Sequence, residues 1–260
     1  MTPKETNHIR YYQFETFDWP WLTHGVFARH GGVSGGHWSS LNMSISVGDS
    51  RANVTENRTR AFHALGRAPE SVADVWQVHS ADVLIAEKPR DLNVDAPKAD
   101  ILITNNPHVT LFQRFADCVP ILLVDPKRRA LGLVHAGWRG TLQKAAAVAV
   151  RALQERYGSR PQDIYAGIGP SIGPQKYEVG PEVAEQTRAA FSAAWPQLLL
   201  EMNGRTHLDL WAANVEALRA VGVTQIEVSG LCTASHTQDF FSHRGERGQT
   251  GRFGALMGLQ

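Results

Sequence analysis

Three residues of this chain stand where an apolar run gives way to a turn, and each carries a metal-binding side chain. His79 follows the apolar run in WQVHSADV, Cys118 precedes Val119–Val124, and His135 follows Leu131–Val134. One thiolate and two imidazoles are donors that zinc accepts, and three protein ligands with an open fourth position mark a catalytic rather than a structural zinc site. Strand ends and loops are also where functional groups reach solvent while a rigid scaffold holds them. No CxxC or HExxH spacing ties the three together locally, so His79 joins by analogy of position. A lone cysteine is otherwise a small buried hydrophobe and a lone histidine an ordinary core or surface residue. A Cys–His pair without metal suits nucleophilic catalysis equally well. Residue type alone leaves these readings open.

The spacing of Cys118 and His135 narrows them. In ADCVPILLVDPKRRALGLVHAGWRGT (116–141), two apolar runs flank Asp125-Pro126-Lys127-Arg128. Asp followed by Pro favours a type I turn, because Asp bonds its own backbone and Pro pre-sets φ. Pairing Val124 with Arg129 across that turn predicts an antiparallel hairpin with Cys118 opposite His135. Directly opposed Cβ atoms lie roughly 4.5–5.5 Å apart, close enough to share a metal ion or a proton. The segment after His135 enters a helix, where free backbone N–H groups beside Arg139 offer a site for an anion or phosphate. An ordinary strand-to-helix turn with a solvated arginine accounts for the same residues. The loop IGPSIGP (168–174) lacks the Lys-Ser/Thr of a P-loop, and Tyr177 and Glu178 beyond it face either a pocket or solvent. In FFSHRGERGQTGR (240–252), three arginines sit among glycines; this reads as a mobile surface loop or as a lid contacting an anion. Cys232 reads as structural, and His236 and His243 as loop residues.

The elements that must position these groups follow from periodicity. Strands are expected over 25–28, 74–78, 83–86, 101–104, 109–112, 119–124, 131–134, 164–167 and 226–228. Helices are expected over 54–65 (capped by Asn53), 142–157, 181–191 and 210–221 (capped by Asp209). Strands and helices do not alternate strictly, which excludes a Rossmann-type series and predicts an α+β fold. No repeat, low-complexity tract or linker divides residues 1–260, so a single domain is expected.

Composition removes several function classes. The 260 residues carry 26 Lys plus Arg against 25 Asp plus Glu, without the basic excess of a nucleic-acid binder. No apolar run approaches the roughly 20 residues that span a bilayer, and MTPKETNHIRYYQ has no apolar signal core. Two cysteines exclude a disulfide scaffold and suit a reducing cytoplasm. Eleven histidines exceed what a structural domain needs. Composition says nothing of oligomeric state.

At these residues the chain resembles a known family, the bacterial purine nucleoside phosphorylases of the polyphenol oxidase (laccase-domain) family, also called peptidoglycan editing factor. The matching stretches are HGVFARHGGVSGG with Ser40-Leu41-Asn42, WQVHSADV, ADCVPILLVDP, GLVHAGWRGT, IGPSIGPQKYEVG, DLWAANVEAL and FFSHRGERGQTGR. The resemblance implies that His79, Cys118 and His135 are metal ligands, and it implies mixed β-sheets in an α/β/β/α layered arrangement. It also implies phosphorolysis of adenosine, inosine and methylthioadenosine, and deamination of adenosine. Ser80 stands where many relatives have Gly, Gln175 where many have Cys, and His243-Arg244-Gly245 where Tyr-Arg-Arg is usual. None of these removes a ligand, but the last puts substrate contacts from the C-terminal loop in question.

Read with the resemblance, a zinc ion on three ligands lowers the pKa of water to about 7, and nucleoside-base deaminases add a carboxylate as proton shuttle. Asp117 and Glu178 are the candidates for that carboxylate. Arg139 is the first candidate to hold phosphate, and Arg58 the second. The partners are then small-molecule purine nucleosides and phosphate. The rival readings are a Cys118–His135 amide hydrolase acting on cell-wall precursors, a copper phenol oxidase (Cu2+ in place of Zn2+), and a non-enzymatic binding module. The chain has no His-x-His, a pattern frequent in multicopper oxidases.

Overall fold

Strands buried on both faces must be covered twice, and here helices cover one side and a second sheet the other. The computed structural model describes all 260 residues. Its first half contains β1 (Thr2–Thr6), β2 (Ile9–Gln13), β3 (Leu22–Phe27), α1 (Arg51–Ala64), β4 (Val72–Ala73), β5 (Val83–Ile85), β6 (Ile101–Thr104), β7 (Thr110–Phe115) and β8 (Val119–Asp125). There follow β9 (Ala130–Ala136), α2 (Trp138–Leu142), α3 (Ala145–Tyr157), β10 (Tyr165–Ile168), α4 (Pro181–Ala190) and α5 (Trp195–Leu198). The chain closes with β11 (Leu199–Met202), β12 (Arg205–Leu208), α6 (Leu210–Arg219), β13 (Gln225–Val228) and β14 (Phe253–Leu259).

One six-stranded sheet has the order β1-β2-β3-β14-β7-β4 and the other β13-β10-β8-β9-β6-β5. Both mix parallel with antiparallel pairs. Alternation along β8 assigns its faces: Ile121 and Leu123 pack with Ala146, Val150 and Leu153 of α3. Leu122 and Val124 pack with Leu111, Phe253 and Met257 of the first sheet. The outer face of that sheet carries Phe112 and Leu256 against Phe62 of α1. The layers therefore run α3 and α6, sheet, sheet, α1. This is the expected α+β fold in an α/β/β/α arrangement. No helix is long and apolar enough to cross a membrane.

Several elements depart from the sequence-based expectation. No strand forms over 74–78: the short strand β4 (Val72–Ala73) ends just before it, and Trp76 makes only an isolated bridge to Lys98. The residues beyond turn to side chains instead of a ladder: Val78 N–H donates to Asp100 Oδ2 (3.0 Å) and Gln77 exchanges hydrogen bonds with Arg114. The helix over 54–65 begins at Arg51, because Ser50 rather than Asn53 is its cap, with Ser50 Oγ accepting from Asn53 N–H at 3.1 Å. The helix expected over 142–157 is two helices, broken at Lys144, which takes a left-handed φ of 58°. The central strand β14 escapes a periodicity reading because Gly254 and Gly258 interrupt it. Gly254 is required by packing, since a Cβ there would meet Met43 Sδ at 2.5 Å.

The hairpin itself forms with a different register. Asp125 pairs with Ala130 and Pro120 with His135, which puts Cys118 opposite Gly137. Asp125 stays in the ladder while its Oδ1 accepts from Lys127 and Arg128 N–H (2.9 and 3.1 Å), so the turn moves out to Pro126–Arg129. Relative to the expected pairing the slip is two residues. A one-residue slip exchanges the faces of a strand, but two residues preserve them. Cys118 and His135 therefore remain on one face, as diagonal neighbours.

Candidate metal centre

Four polar residues at the ends of apolar runs converge at one end of the second sheet. Cys118 lies just before β8 and His135 near the end of β9, while His79 sits in the loop before β5 with φ at 63°. Their ligand atoms all lie within 4.8 Å of one another, and they are the one group of three or more His, Cys, Asp or Glu side chains so placed. His135 is 4% exposed, packed against the ring of Phe115 (centroids 5.4 Å apart) and edge-on to His79 (5.0 Å).

The fourth residue is Asp100, fully buried before β6. Its Oδ1 lies 2.7 Å from His135 Nδ1. Its Oδ2 accepts from Val78 N–H (3.0 Å), Ser80 N–H (2.7 Å) and the Ser80 hydroxyl (3.1 Å). One carboxylate thus orients the His135 ring and holds the loop that carries His79. Bonding of Nδ1 to a carboxylate leaves Nε2 to face the site, the usual outer partner of a metal-bound histidine. The departure at Ser80 adds a hydroxyl to this arrangement.

Charge at the centre follows from these contacts. Burial alone raises the Cys118 thiol, but the nearby His135 charge and hydrogen bonds from both imidazoles overcome it and bring the thiol down to about 6. Burial disfavours a charged His135, yet the Cys118 thiolate and the Asp100 carboxylate raise it to about 9. These two shifts favour a thiolate beside an imidazolium near neutrality. Gly137 closes the centre: a Cβ there would lie 2.9 Å from Cys118 Sγ and 3.1 Å from His79 Cδ2. Donor type, convergence, a ring oriented from behind and room cleared by glycine all fit a divalent metal.

The centre opens into a cavity of about 390 Å3, within the range of small-molecule sites. Its wall includes Trp76, Tyr177 and His243, and three arginines, Arg114, Arg244 and Arg252. The expected anion and proton-transfer groups fare differently. Arg139 is exposed and lies over the Trp138 ring at 4.7 Å, outside the cavity. Arg58 is also outside, its Nε donating to Met43 O (2.9 Å) and its guanidinium beside Asp74. Glu178 turns outward to Arg205 (2.7 Å). Asp117 does line the cavity, but both its oxygens are engaged, Oδ1 by Thr233 and Ser242 hydroxyls (2.7 and 2.6 Å) and Oδ2 by Arg244 N–H (2.6 Å). Local periodicity and turn signals point to none of these contacts, which are made through tertiary packing. Asp100 and Arg114 did carry a signal: a charged residue beside or inside an otherwise apolar run. His243 had none.

Fold and centre together place the chain in one family. Residues 23–260 match the model described as multi-copper polyphenol oxidoreductase laccase, and the chain belongs to that family. It is 42% identical over 238 residues to the purine nucleoside phosphorylase of Deinococcus radiodurans, covering 92% of this chain and 89% of that one. The purine nucleoside phosphorylase YlmD of Geobacillus stearothermophilus is 40% identical over 243 residues, covering 90% of this chain and 89% of that one. The crystal structure of YlmD from that organism superposes with a TM-score of 0.92 at 37% identity, covering 99% and 98% of the two chains.

Proposed function

We propose that the chain, acting as one domain in the cytoplasm, is a zinc-dependent purine nucleoside phosphorylase. Its substrates would be adenosine, inosine and S-methyl-5′-thioadenosine, with deamination of adenosine as a second activity. The observation that carries this reading is the His79–Cys118–His135 centre opening onto an arginine-lined cavity, in a chain whose relatives bear that activity in their names. Bound at these three residues, zinc would supply a Lewis acid beside the substrate; copper suits the same nitrogen and sulfur donors.

In phosphorolysis a phosphate oxygen forms a bond to ribose C1′ as the C1′–N9 bond breaks. The bonding pair leaves with the purine, which takes up a proton. The chain's own residues have to bind phosphate against the ribose, seat the base and limit water. Cationic groups along the wall serve the first need, and the exposed indole of Trp76 offers a stacking surface for the second.

The test incubates pure protein with each nucleoside, with and without phosphate, and separates the products by chromatography while metal is quantified in the same sample. Free base and ribose 1-phosphate (5-methylthioribose 1-phosphate for methylthioadenosine) are expected only with phosphate, and inosine from adenosine in either case. His79→Ala, Cys118→Ala and His135→Ala are each expected to lose metal and turnover while staying folded. A variant retaining the wild-type rate removes its residue from the centre.

One observation favours a second reading. Cys118, His135 and Asp100 form a thiolate–imidazole–carboxylate series, the arrangement of a cysteine amide hydrolase. Stoichiometric metal, with turnover lost to a chelator, excludes it.

A further inference from the structure

Arg114, Arg244 and Arg252 reach the cavity from three separate parts of the chain, and none meets a carboxylate there. Arg114 projects from β7; its Nε donates to Gln77 (3.1 Å) and its Nη2 to Val75 O, which leaves Nη1 without a protein acceptor. Arg252 spends Nη1 on Gly251 O (2.8 Å) and Thr250 O (3.4 Å), leaving Nε and Nη2. Arg244 spends Nη1 on Glu178 O (3.1 Å) and lies over the Tyr177 ring at 5.3 Å. Burial pulls the pKa of both Arg114 and Arg252 down. Desolvated cations are costly; Asp74 near Arg114 and Asp117 near Arg252 offset part of that cost without forming an ion pair, and the guanidinium donors left free match the geometry of a tetrahedral oxyanion.

Each arginine is also anchored through its backbone or its neighbours. Arg252 N–H donates to Asn42 Oδ1 (2.9 Å), and Asn42 is itself fixed by Asp49. Arg244 N–H donates to Asp117 Oδ2, whose other oxygen takes Thr233 and Ser242. Asp117 adopts a left-handed φ of 85°, an uncommon conformation for a residue with a side chain. Glu246 then closes the loop on itself, accepting from Ser242 N–H (3.0 Å) and Thr250 Oγ1 (2.5 Å) and pairing with Arg29 (2.9 Å). The 240–252 segment is thus pinned rather than lid-like.

We infer that Arg114, Arg244 and Arg252 form the subsite for inorganic phosphate, and that Asp117 is a positioning residue that ties Arg244 to the segment bearing Cys118. The inference rests on the phosphorylase reading for its role in turnover, but the subsite can be tested by binding alone.

The experiment measures inorganic phosphate binding by calorimetry on the metal-loaded protein, and phosphate KM with inosine, for wild type, Arg244→Gln, Arg252→Lys, Asp117→Asn and the outside control Arg139→Gln. Loss of one charge-assisted hydrogen bond predicts phosphate Kd and KM raised about 10- to 100-fold in Arg244→Gln. Metal content and nucleoside KM should be unchanged. Asp117→Asn should raise phosphate KM in the same direction with kcat and metal content preserved, because a single amide oxygen cannot accept both from Arg244 N–H and from the Thr233 and Ser242 hydroxyls; a merely structural role would lower the folded fraction instead. Arg252→Lys keeps the charge and guards against failure to fold. Phosphate binding that is unaltered in Arg244→Gln and Arg252→Lys, or that weakens only in Arg139→Gln, overturns the inference even if phosphorolysis is present. Arginine-dependent phosphate binding without phosphorolysis upholds the subsite and removes the phosphorylase reading.

Discussion

Asp100 divides its two oxygens between His135 and the loop that carries His79, so one buried carboxylate sets two of the three candidate metal-binding side chains. Asp100→Asn keeps the shape but changes the hydrogen-bond sense. If its Oδ1 continues to accept from Val78 and Ser80, its Nδ2 donates toward His135 Nδ1. The imidazole is then driven to carry its proton on Nε2, the atom that must be free to bind metal. Zinc affinity is expected to fall about 10- to 100-fold, measured by competition with a chelator, with the circular dichroism spectrum unchanged. An unaltered affinity removes Asp100 from this role. Asp100 was visible in the sequence as an acid immediately before Ile101–Thr104, the strand-end position that also marks the three ligands.

The hairpin of β8 and β9 shows what an element contributes. Its existence, its four-residue turn and the shared face of Cys118 and His135 were all legible from apolar runs flanking Asp-Pro. The register was not, because whether Asp125 ends the strand or begins the turn depends on where its side chain bonds. The site tolerates that two-residue difference only because strand periodicity is two. What it does require is Gly137 opposite Cys118. Gly137→Ala would put a methyl group 2.9 Å from Cys118 Sγ, so it should reduce bound metal and turnover together while thermal unfolding of the metal-free protein shifts little. Full metal occupancy in that variant contradicts the close approach. The cavity's arginines were less legible than the hairpin: Arg244 and Arg252 lie in a glycine-rich segment whose rigidity comes from Glu246 and Asp117, partners supplied by tertiary contact. The expected phosphate ligands Arg139 and Arg58 had suitable chemistry, but the fold turns both away from the cavity.

Across the whole molecule, two sheets share one core, and the first sheet feeds it through β3, where His24 lies buried. Phe14 N–H donates to His24 Nε2 at 2.9 Å, and Nδ1 has no partner. Burial holds this imidazole down at about 4 against an ordinary 6.5. The unfolded chain therefore takes up a proton that the folded chain refuses. Its stabilising contribution is complete above about pH 6.5 and is lost as pH falls toward 4, amounting to about 3 kcal/mol. Denaturant unfolding of wild type and His24→Gln at about pH 7 and about pH 4.5, both with chelator present, should show the smaller pH dependence in the variant. Equal dependence means that His24 titrates normally. The α+β class was legible from periodicity and the layered architecture only through the family resemblance; the order of strands across each sheet was not, because it is set by pairing between remote segments. At this scale the central claim is that purine nucleoside turnover depends on one metal ion held by His79, Cys118 and His135. Its most direct test is to strip the protein of metal and follow inosine phosphorolysis as zinc is added back. The rate should start near zero and saturate at one equivalent per chain. Full activity in the stripped protein, with zinc adding nothing, would contradict it.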